Sequence, residues 1–349
     1  MTCSRRALAC VIPFLLILEL PAALGAQNAP AADHHMHLQS PRAAQLLNQG
    51  AISKPNEKEP SEQPNTAKDM VAALDAAGIR HGTALSDAYR LGSPFVHVPN
   101  EAEEVNAEND WTLHQVERYP DRLVGFCSVN PIRPYALAAI DYCYRIGLRG
   151  GLKLHLANAK FQFNNSDQIR ALRQVFRRAD HLRMPILIHL RSAEKWDARH
   201  SVQTFMTQVL PLAPDVPVQV AHLGGWGGYD RVTDESISTF IEECDAQPKL
   251  CRHLYFDIAA IVLPPSAATA PLGSDDRFLY DAQKDFTEGP QRLAANLRRI
   301  GLNRILFATD WPVAMPKEYV ENLRKYLQLK PAEIDRIFSN LAPYFKHTR

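Results

Sequence analysis

Short apolar runs alternate with longer amphipathic stretches along the chain, and this pattern predicts eight β-strands separated by α-helices. The runs are rich in Val, Ile, Leu and Ala, which is typical of strands buried on both faces of a parallel sheet. The predicted strands are residues 32–38, 79–85, 123–129, 151–156, 185–190, 217–223, 254–261 and 305–309. The predicted helices are residues 67–77, 100–119, 134–146, 166–181, 201–210, 234–246 and 291–300, with two more at the C-terminal end. Eight βα units in a row predict a single-domain (β/α)8 barrel of the TIM type, with its active site at the carboxyl ends of the strands.

Two long segments interrupt the alternation and are predicted as loops. Residues 39–64 are rich in Pro, Asn, Gln and Glu, and residues 263–290 are rich in Pro, Ala, Ser and Asp. Together with residues 86–99 and 191–200, they follow predicted strands, and we expect these four loops to determine specificity. An open, doubly wound sheet is the alternative fold, but no glycine-rich phosphate loop follows the first strand.

The first 26 residues have the pattern of a secretory signal peptide. Arg5 and Arg6 precede an apolar stretch over residues 7–18, and small residues then supply a cleavage region. Prolines and a glutamate interrupt the apolar stretch, which is shorter than the roughly 20 apolar residues of a membrane-spanning helix. We therefore expect cleavage and export to the periplasm or the medium, leaving residues 27–349 as the barrel domain. An uncleaved membrane anchor is the alternative.

The charge of the chain is balanced, with 39 Lys and Arg against 38 Asp and Glu. Loss of the signal peptide would remove two arginines and one glutamate, which leaves equal numbers of both signs. This balance offers no basic face for nucleic acid or an anionic membrane. No later segment is long and apolar enough to span a bilayer. We therefore expect a small-molecule partner, and the sequence leaves open whether the chain forms a homodimer.

Four of the six cysteines follow the predicted signal peptide, namely Cys127, Cys143, Cys244 and Cys251. Export favours disulfides. Cys244 and Cys251 lie close together in the sequence, so they could close a small loop, and buried free thiols are the alternative. The cysteines do not have the C-x-x-C spacing of a zinc site.

Histidine and aspartate residues stand at the ends of four predicted strands. His35 and His37 lie two positions apart in the first strand, so their side chains share a face. His189 ends the fifth strand, His222 lies at the end of the sixth, and Asp310 follows the eighth. A carboxylate at a buried strand end needs a metal ion or another cation. Imidazole and carboxylate ligands suit Zn²⁺, and also Mn²⁺ or Fe²⁺, so the pattern predicts a divalent metal ion at this end of the barrel.

These motifs resemble those of the amidohydrolase superfamily and, within it, of the amidohydrolase-related family. The resemblance covers nearly the whole mature chain, and the motifs that carry it are Asp33-His-His-Met-His-Leu38, Tyr119-Pro-Asp-Arg122, Phe126-Cys-Ser-Val-Asn-Pro131, Gly147-Leu-Arg-Gly-Gly-Leu-Lys-Leu-His155, Ile188-His189, Ala221-His-Leu-Gly-Gly225, Tyr255-Phe-Asp257 and Leu306-Phe-Ala-Thr-Asp-Trp-Pro312. It implies a distorted barrel that holds one divalent metal, usually zinc. Carried over by motif, His35, His37 and His189 bind the metal, and Asp310 completes the site. His222 then lies beside the metal as an acid/base or oxyanion-stabilising residue.

The chemistry of these residues points to hydrolysis. A divalent ion with neutral imidazole ligands lowers the pKa of bound water to about 7. Asp310 could accept the proton of this water and pass it to the leaving group, and His222 could polarise the carbonyl. We therefore expect an exported hydrolase of an amide, lactone or ester. A metal-dependent decarboxylase of aromatic or unsaturated carboxylic acids is the alternative that the family implies, and a non-catalytic metal- or ligand-binding barrel is the third.

Three further residues are candidates for substrate binding. Lys153 and His155 share one face of the fourth strand, and core packing is the alternative for both. The resemblance adds another role for Lys153, because some superfamily members use a carboxylated lysine on this strand to bridge two metals. Arg191 shares a face with His189 and could bind a substrate carboxylate in a bidentate manner, with a surface salt bridge as the alternative.

The remaining acidic and histidine residues carry weaker expectations. Asp257 ends the seventh strand and could support the metal ligands from behind. The other histidines have no spacing typical of ligands, and we expect them at the surface or in loops: His34, His81, His97, His114, His181, His200, His253 and His347. The metal-dependent deoxyribonucleases of the superfamily usually place a glutamate ligand on the fourth strand, and its absence from residues 151–156 counts against that group.

Overall fold

The computed structural model describes residues 28–50, 62–193, 196–271 and 274–347, so the predicted signal peptide lies outside the described residues. Eight parallel strands pair in chain order, each with the next. Their bounds are Ala32–Leu38 (β1), His81–Ser86 (β2), Leu123–Ser128 (β3), Gly151–His155 (β4), Ile186–His189 (β5), Val218–Val220 (β6), Leu254–Asp257 (β7) and Ile305–Leu306 (β8). The predicted (β/α)8 barrel is therefore confirmed.

Helices follow the strands and cover the outside of the barrel. They are Pro41–Gly50 (α1), Ala67–Ala76 (α2), Ala88–Leu91 (α3), Glu101–Val116 (α4), Ala136–Ile146 (α5), Ser166–His181 (α6), Ala198–Thr204 (α7), Arg231–Ala246 (α8), Asp275–Gln283 (α9), Gly289–Ile300 (α10), Pro316–Tyr326 (α11) and Pro331–Phe338 (α12). Each long helix buries one apolar face against the strands. Within the described ranges, none of these helices has the length and apolarity that crossing a membrane requires.

Backbone hydrogen bonds between β1 and the segment around β8 close the barrel. The N–H of Asp310 donates to the carbonyl of His35 at 2.9 Å, and the N–H of His37 donates to the carbonyl of Trp311 at 2.8 Å. The first strand and the segment that follows the last strand thus meet in one layer. This contact places the histidines of β1 beside Asp310, although the sequence separates them by nearly the whole domain.

Three helices lie wholly within the segments that the sequence predicts as loops, and the shortest, α3, occupies part of residues 86–99. α1 occupies part of residues 39–64, and its buried residues Ala43, Ala44, Leu46 and Leu47 pack against α3 and α4. α9 occupies part of residues 263–290. The loop predictions are wrong at these three places, because each apolar stretch is too short to show a helical period within a polar surrounding.

β1 has an irregular register against β2. Asp33 pairs with Gly82, whereas Met36 pairs with Ala84, so β1 has one more residue than β2 over this interval. Such a bulge breaks the strict alternation of side chains across a strand. As a consequence, the side chains of consecutive residues reach the barrel interior in the middle of β1.

His34 is one of these residues, and its prediction as a surface or loop residue is wrong. It is fully buried, and its Nδ1 donates to the carbonyl of Phe307 at 2.8 Å. Its Nε2 accepts the N–H of Ala342 at 3.1 Å, and its ring packs edge-on against Phe345. His34 thus anchors the C-terminal segment to the barrel, a role that spacing alone does not reveal.

Two disulfides are present in the described part of the chain. Cys244 and Cys251 form the small loop that the sequence leaves open. Cys127 and Cys143 form a second bridge, from β3 to α5, which the sequence analysis does not anticipate. The two residues of this bridge belong to a strand and the helix that packs on it, and their proximity follows only from the three-dimensional fold.

Candidate metal centre

Residues from the carboxyl ends of the strands line a cavity of about 670 Å³. All five predicted metal ligands and catalytic groups contribute to it: His35, His37, His189, His222 and Asp310. Lys153 and His155, predicted to bind substrate, also line it. The barrel thereby brings together seven of the eight predicted site residues, and the eighth, Arg191, lies elsewhere.

The nitrogens and oxygens of the site lie close together. Nε2 of His35 is 3.1 Å from Nε2 of His37, and each of these nitrogens is 3.1 Å from Oδ1 of Asp310. Ligand atoms of His35, His222 and Asp310 all lie within 4.8 Å of one another, so one ion could contact all three. His222 therefore lies beside the predicted ligands, and its predicted acid/base or oxyanion-stabilising role stays a prediction.

Hydrogen bonds on the far side of each ring orient these imidazoles. Nδ1 of His35 donates to Oδ2 of Asp257 at 3.1 Å, and Nδ1 of His37 donates to Oδ1 of Asp87 at 2.6 Å. Nδ1 of His222 donates to the carbonyl of Ala259 at 2.8 Å. A metal-binding histidine almost always has its second nitrogen held in this way. The Nε2 atoms of all three rings are therefore directed into the site.

His189 reaches the same site from β5. Its ring stacks on His155 with centroids 3.9 Å apart, and it contacts the ring of His222 edge-on at 5.1 Å. Its Nε2 atom is buried and has no hydrogen-bond partner within the part of the chain that the structure describes. A buried polar atom without a partner is costly, and an ion at this position would satisfy it.

The protonation states of His35, His189 and Asp310 suit metal binding. Burial, with a smaller contribution from Lys153, lowers the pKa of His35 to about 4, and burial lowers the pKa of His189 well below its usual value. Burial opposes ionisation of Asp310, but the neighbouring histidines outweigh it and hold its pKa well below the usual value. Neutral imidazoles and an ionised carboxylate are the forms that a divalent cation binds. The donor set therefore fits such an ion.

Strained backbone holds two of these side chains. His222 has φ 52° and Asp310 has φ 63°, both in the left-handed region that residues other than glycine rarely adopt. The N–H of His222 donates to Oδ1 of Asp257 at 2.8 Å, and the N–H of Asp310 donates to the carbonyl of His35. Strain of this kind is found where a fold fixes a functional side chain in one position.

Lys153 lies at the bottom of the cavity and is fully buried. Its Nζ donates to Nε2 of His35 at 2.7 Å, and burial lowers its pKa to about 8. His155, two residues further along β4, stacks between Tyr89 and His189. Lys153 therefore lies beside the predicted ligands, and His155 forms part of the aromatic wall above it.

Arg191 does not line the cavity, and it has other contacts. Its guanidinium donates to Asp230 at 2.7 Å in a buried ion pair and lies 4.4 Å above the ring of Trp226. Nε1 of Trp226 donates back to the carbonyl of Arg191 at 3.2 Å. The direct role in carboxylate binding stays a prediction, and the observed contacts fix the ring of Trp226 instead.

Sequence reasoning missed several residues of the cavity. Asp87 follows β2 directly, in the position of the other predicted ligands relative to their strands, so the same signal could have found it. The mouth has a polar wall and an apolar wall. The polar wall consists of Glu62, Gln63, Asn65, Arg90 and Asn158, and the apolar wall consists of Trp226, Phe278, Leu279, Pro312 and Val313. These residues belong to loops, to α3 and to α9, and the approach of these segments to the cavity has no local sequence signal.

A family model described as Amidohydrolase matches residues 32–340 of the chain. No curated protein matches this chain. The match covers all eight strands and every predicted site residue.

Solved structures of similar fold include both decarboxylases and a hydrolase candidate. The 5-carboxyvanillate decarboxylase of Novosphingobium aromaticivorans, with bound manganese and 3-methoxy-4-hydroxy-5-nitrobenzoic acid, has a TM-score of 0.61 at 12% identity, over 92% of this chain and 98% of that chain. A dihydroxybenzoic acid decarboxylase of a Polaromonas species, with bound manganese and 2-nitroresorcinol, has a TM-score of 0.58 at 15% identity, over 92% and 98%. A candidate 2-pyrone-4,6-dicarboxylic acid hydrolase of Pseudomonas putida has a TM-score of 0.56 at 14% identity, over 92% and 99%. At these identities the likeness establishes the shared fold alone.

Proposed function

The chain belongs to the amidohydrolase family, and on this premise we propose that it is a metal-dependent hydrolase of a small ester, lactone or amide. The observation that carries the proposal is the position of Asp310. Its Oδ1 lies 3.1 Å from Nε2 of both His35 and His37, while its Oδ2 lies 3.9 Å from Nε2 of His222. One carboxylate thus borders the predicted metal ligands and faces a second polar group across the cavity.

We assign the metal to the side chains that converge on this point. His35, His37, His189 and Asp310 would hold one divalent ion, with Zn²⁺ as the first choice for this set of nitrogen and oxygen ligands. Manganese is present in two of the related structures and is the second choice. A count of two ions per chain would instead favour carboxylated Lys153 as a bridging ligand.

The protein side chains can then supply the proton transfers of hydrolysis. The ion when bound would act as a Lewis acid on the carbonyl and would lower the pKa of a bound water. Asp310 is ionised and would accept a proton from the attacking water through Oδ2, then deliver it to the leaving group. His222, whose Nδ1 donates to the carbonyl of Ala259, would stabilise developing negative charge on the carbonyl oxygen through Nε2–H in its doubly protonated form.

The remaining part of the substrate would lie between the two walls of the mouth. Trp226 and Phe278 lie 5.8 Å apart, with their rings tilted by 35°. Phe278 is 49% exposed, so an apolar group could cover it at the cavity mouth. We propose that an apolar part of the substrate packs on these two rings, since burying an aromatic surface stabilises a complex.

Decarboxylation of a carboxylic acid is the second candidate, and Lys153 is the observation that favours it. This lysine is the cationic side chain nearest the predicted ligands among the described residues that line the cavity, and it could pair with a carboxylate. The other cation of the lining, Arg90, is already paired with Glu62 at 2.5 Å. Hydrolysis requires no such cation, and the proton-accepting position of Asp310 serves it directly.

A paired assay tests this assignment. The Zn²⁺- and Mn²⁺-loaded protein is offered matched aryl and alkyl compounds: phenyl and cyclohexyl acetate, dihydrocoumarin and δ-valerolactone, acetanilide and N-cyclohexylacetamide. Release of the carboxylic acid is followed by chromatography, because hydrolysis of an alkylamide liberates no net proton at neutral pH, and benzoic acids are assayed in parallel for carbon dioxide. We expect acid release, and a loss of about 10²- to 10⁴-fold in kcat for Asp310→Asn, because this variant keeps the shape and removes the proton acceptor.

The other outcomes of this assay lead to different conclusions. Carbon dioxide from the acids, without acid release from the esters, lactones or amides, would replace hydrolysis by decarboxylation. Bound metal without turnover of any compound would favour the non-catalytic barrel. Full activity of Asp310→Asn, with an unchanged unfolding temperature, would contradict the role of Asp310.

We also propose that the chain is exported and works in the periplasm or outside the cell. The charged and apolar pattern of residues 1–26 supports this, as do the two disulfides, which persist in oxidising compartments and are rare in the cytosol. Mass spectrometry of the protein recovered from a bacterial periplasm should give an N-terminus at Gln27. Protein that stays in the cytosol and retains Met1 would contradict export.

A further inference from the structure

A chain of hydrogen bonds crosses the barrel interior and ends on His35. The hydroxyl of Tyr344 donates to Oε1 of Gln219 at 2.9 Å, and Nε2 of Gln219 donates to Oδ2 of Asp257 at 2.7 Å. The same oxygen of Asp257 accepts the Nδ1 hydrogen of His35 at 3.1 Å. All four side chains are buried, none with more than 5% exposure. This hydrogen-bond chain is therefore shielded from water along its whole length.

Neighbouring bonds fix the direction of each link. Thr83 donates its hydroxyl hydrogen to the oxygen of Tyr344 at 3.3 Å, which leaves the hydrogen of Tyr344 for Gln219. Nε2 of Gln219 also donates to the carbonyl of His34 at 3.2 Å, so the amide has one orientation that satisfies both of its ends. The links thus run in one direction, from the tyrosine hydroxyl toward the carboxylate.

Tyr344 lies outside the lining of the metal cavity. It belongs to the short 3-10 helix Pro343–His347, and its ring packs edge-on against Phe126 in the barrel core. The adjacent Phe345 contacts the ring of His81, which is the first residue of β2. This contact places the segment at the amino ends of the strands, whereas the metal cavity lies at their carboxyl ends. Any effect of Tyr344 on the metal centre must therefore pass through other residues.

We propose that Tyr344 is a positioning residue of the metal centre, which acts through Gln219 and Asp257 to hold the ring of His35 in the orientation that binds the ion. The inference rests on the proposed metal-dependent function. The partner of a ligating imidazole sets its orientation, and each donor to a buried carboxylate restricts the rotation of that carboxylate. Removal of the tyrosine hydroxyl would free the Gln219 amide and loosen Asp257 and His35 in turn.

The test compares two variants that each lose one buried tyrosine hydroxyl. Tyr344→Phe removes the first link of the hydrogen-bond chain. Tyr229→Phe removes a hydroxyl that bonds Asp234 and Asn296, away from that hydrogen-bond chain. Both variants keep the ring and the packing. The dissociation constant for Zn²⁺ is measured on the mature protein by competition with a chromophoric chelator, and thermal unfolding monitors the fold.

We expect Tyr344→Phe to weaken Zn²⁺ binding by about three- to tenfold, less than the roughly 10- to 100-fold loss when a direct partner of a ligand is removed. Tyr229→Phe should leave the dissociation constant for Zn²⁺ within about twofold of the wild type, because distant and independent sites affect each other by no more than this. Equal losses in both variants would show a general loosening of the fold and would overturn the inference. An unchanged constant in Tyr344→Phe would also overturn it.

A double-mutant cycle tests the route. Gln219→Met removes the middle link with a side chain of similar length. If Tyr344 acts through Gln219, the double variant binds Zn²⁺ as Gln219→Met alone does, since the second change has nothing left to break. Independent addition of the two losses would show that Tyr344 acts by another path.

A second readout separates this inference from the proposed function. In metal-free protein labelled with ¹⁵N-histidine, the Nδ1 resonance of His35, assigned by its absence in His35→Gln, reports the hydrogen bond to Asp257. We expect this resonance to shift in Tyr344→Phe and not in Tyr229→Phe. If the wild type binds no divalent ion, the proposed function fails. The shift of the His35 Nδ1 resonance then still tests whether Tyr344 positions His35 through the hydrogen-bond chain. If the wild type binds Zn²⁺ and neither readout responds to Tyr344→Phe, the inference fails alone.

Discussion

His189 stacks face to face on His155, with ring centroids 3.9 Å apart and planes 10° apart. The stack leaves Nε2 of His189 pointing into the cavity without a hydrogen-bond partner among the described residues, and a buried unsatisfied group costs about 1–3 kcal/mol. The neighbouring His155 differs, because its Nδ1 accepts the N–H of Asn158 at 3.3 Å. The two stacked rings thus differ, because His189 has a buried nitrogen without a hydrogen-bond partner among the described residues and His155 accepts a backbone hydrogen bond.

This difference gives the first prediction. His189→Ala should lose bound Zn²⁺, with an affinity drop larger than the roughly 10- to 100-fold cost of losing an outer partner, because a ligand itself is removed. His155→Ala is the matched control, since it breaks the same stack but is not a predicted ligand. Metal content after gel filtration and chelator competition measure both. Equal metal loss in the two variants would mean that the stack, and not the His189 nitrogen, supports the site.

The predicted ligands share one property that made them visible in the sequence. Each stands at the end of an apolar run, and a parallel barrel brings all such ends to one mouth. This rule located His35, His37, His189, His222 and Asp310 without any knowledge of distances. The same rule applied to β2 also locates Asp87, which directly follows that strand.

Several features of the structure depend on contacts that no local pattern contains. His34 is buried because a register shift in β1 turns it inward, and the guanidinium of Arg191 lies over the ring of Trp226 while it pairs with Asp230. The bridge between Cys127 and Cys143 likewise depends on how α5 packs on β3. Alternation within a strand and spacing along a helix describe single elements, and these features arise between elements.

The carboxylate behind His37 gives the second prediction. Burial lowers the pKa of His37, but Asp87 and Asp310 outweigh burial, and the net shift is upward. Protons compete with the metal for Nε2, so the wild type should release its ion as the pH falls through this raised pKa. Asp87→Asn should bind Zn²⁺ about 10- to 100-fold more weakly at high pH, because the ring loses its charged partner. The pH at which this variant begins to lose its Zn²⁺ should nevertheless be lower than in the wild type, because the pKa of His37 falls.

Chelator competition between pH 5 and 8 measures both effects, with Asp110→Asn as a control at an exposed position of α4. A uniform loss of affinity in Asp87→Asn, with the same pH dependence as the wild type, would show that Asp87 acts by packing alone.

The apolar wall gives the third prediction. Trp226→Leu and Phe278→Leu should each raise KM for the aryl member of a matched pair by about three- to tenfold, the equivalent of 0.5–1.5 kcal/mol for one aromatic contact. KM for the alkyl member should change less, and kcat should stay close to the wild type because neither ring touches the reacting atoms. Phe95→Leu is the control, since Phe95 is 46% exposed and contacts Lys160 outside the cavity lining. Equal increases in KM for the aryl and the alkyl compounds would show that the apolar group of the substrate does not pack on Trp226 and Phe278.

A buried glutamate outside the site gives the last prediction. Glu108 is 3% exposed on α4 and accepts the N–H of Ser40 at 2.9 Å, and burial raises its pKa from 4.5 to about 7. The folded protein thus keeps the proton that the unfolded chain releases above pH 4.5. As the pH rises from 4.5 to 7, release from the unfolded chain favours unfolding, and the free energy of unfolding falls by roughly 3 kcal/mol from this group alone.

Glu108→Gln carries no proton to release, so its stability should decline less over this interval. Urea unfolding at pH 5 and pH 8 measures the difference, and Glu103→Gln, at an exposed position of the same helix, serves as the control. The glutamine variant should gain on the wild type at pH 8, because the wild type must bury a charge there or take up a proton. Parallel pH profiles for wild type and Glu108→Gln would mean that Glu108 ionises in the fold, with solvent reaching its carboxylate between α4 and Ser40.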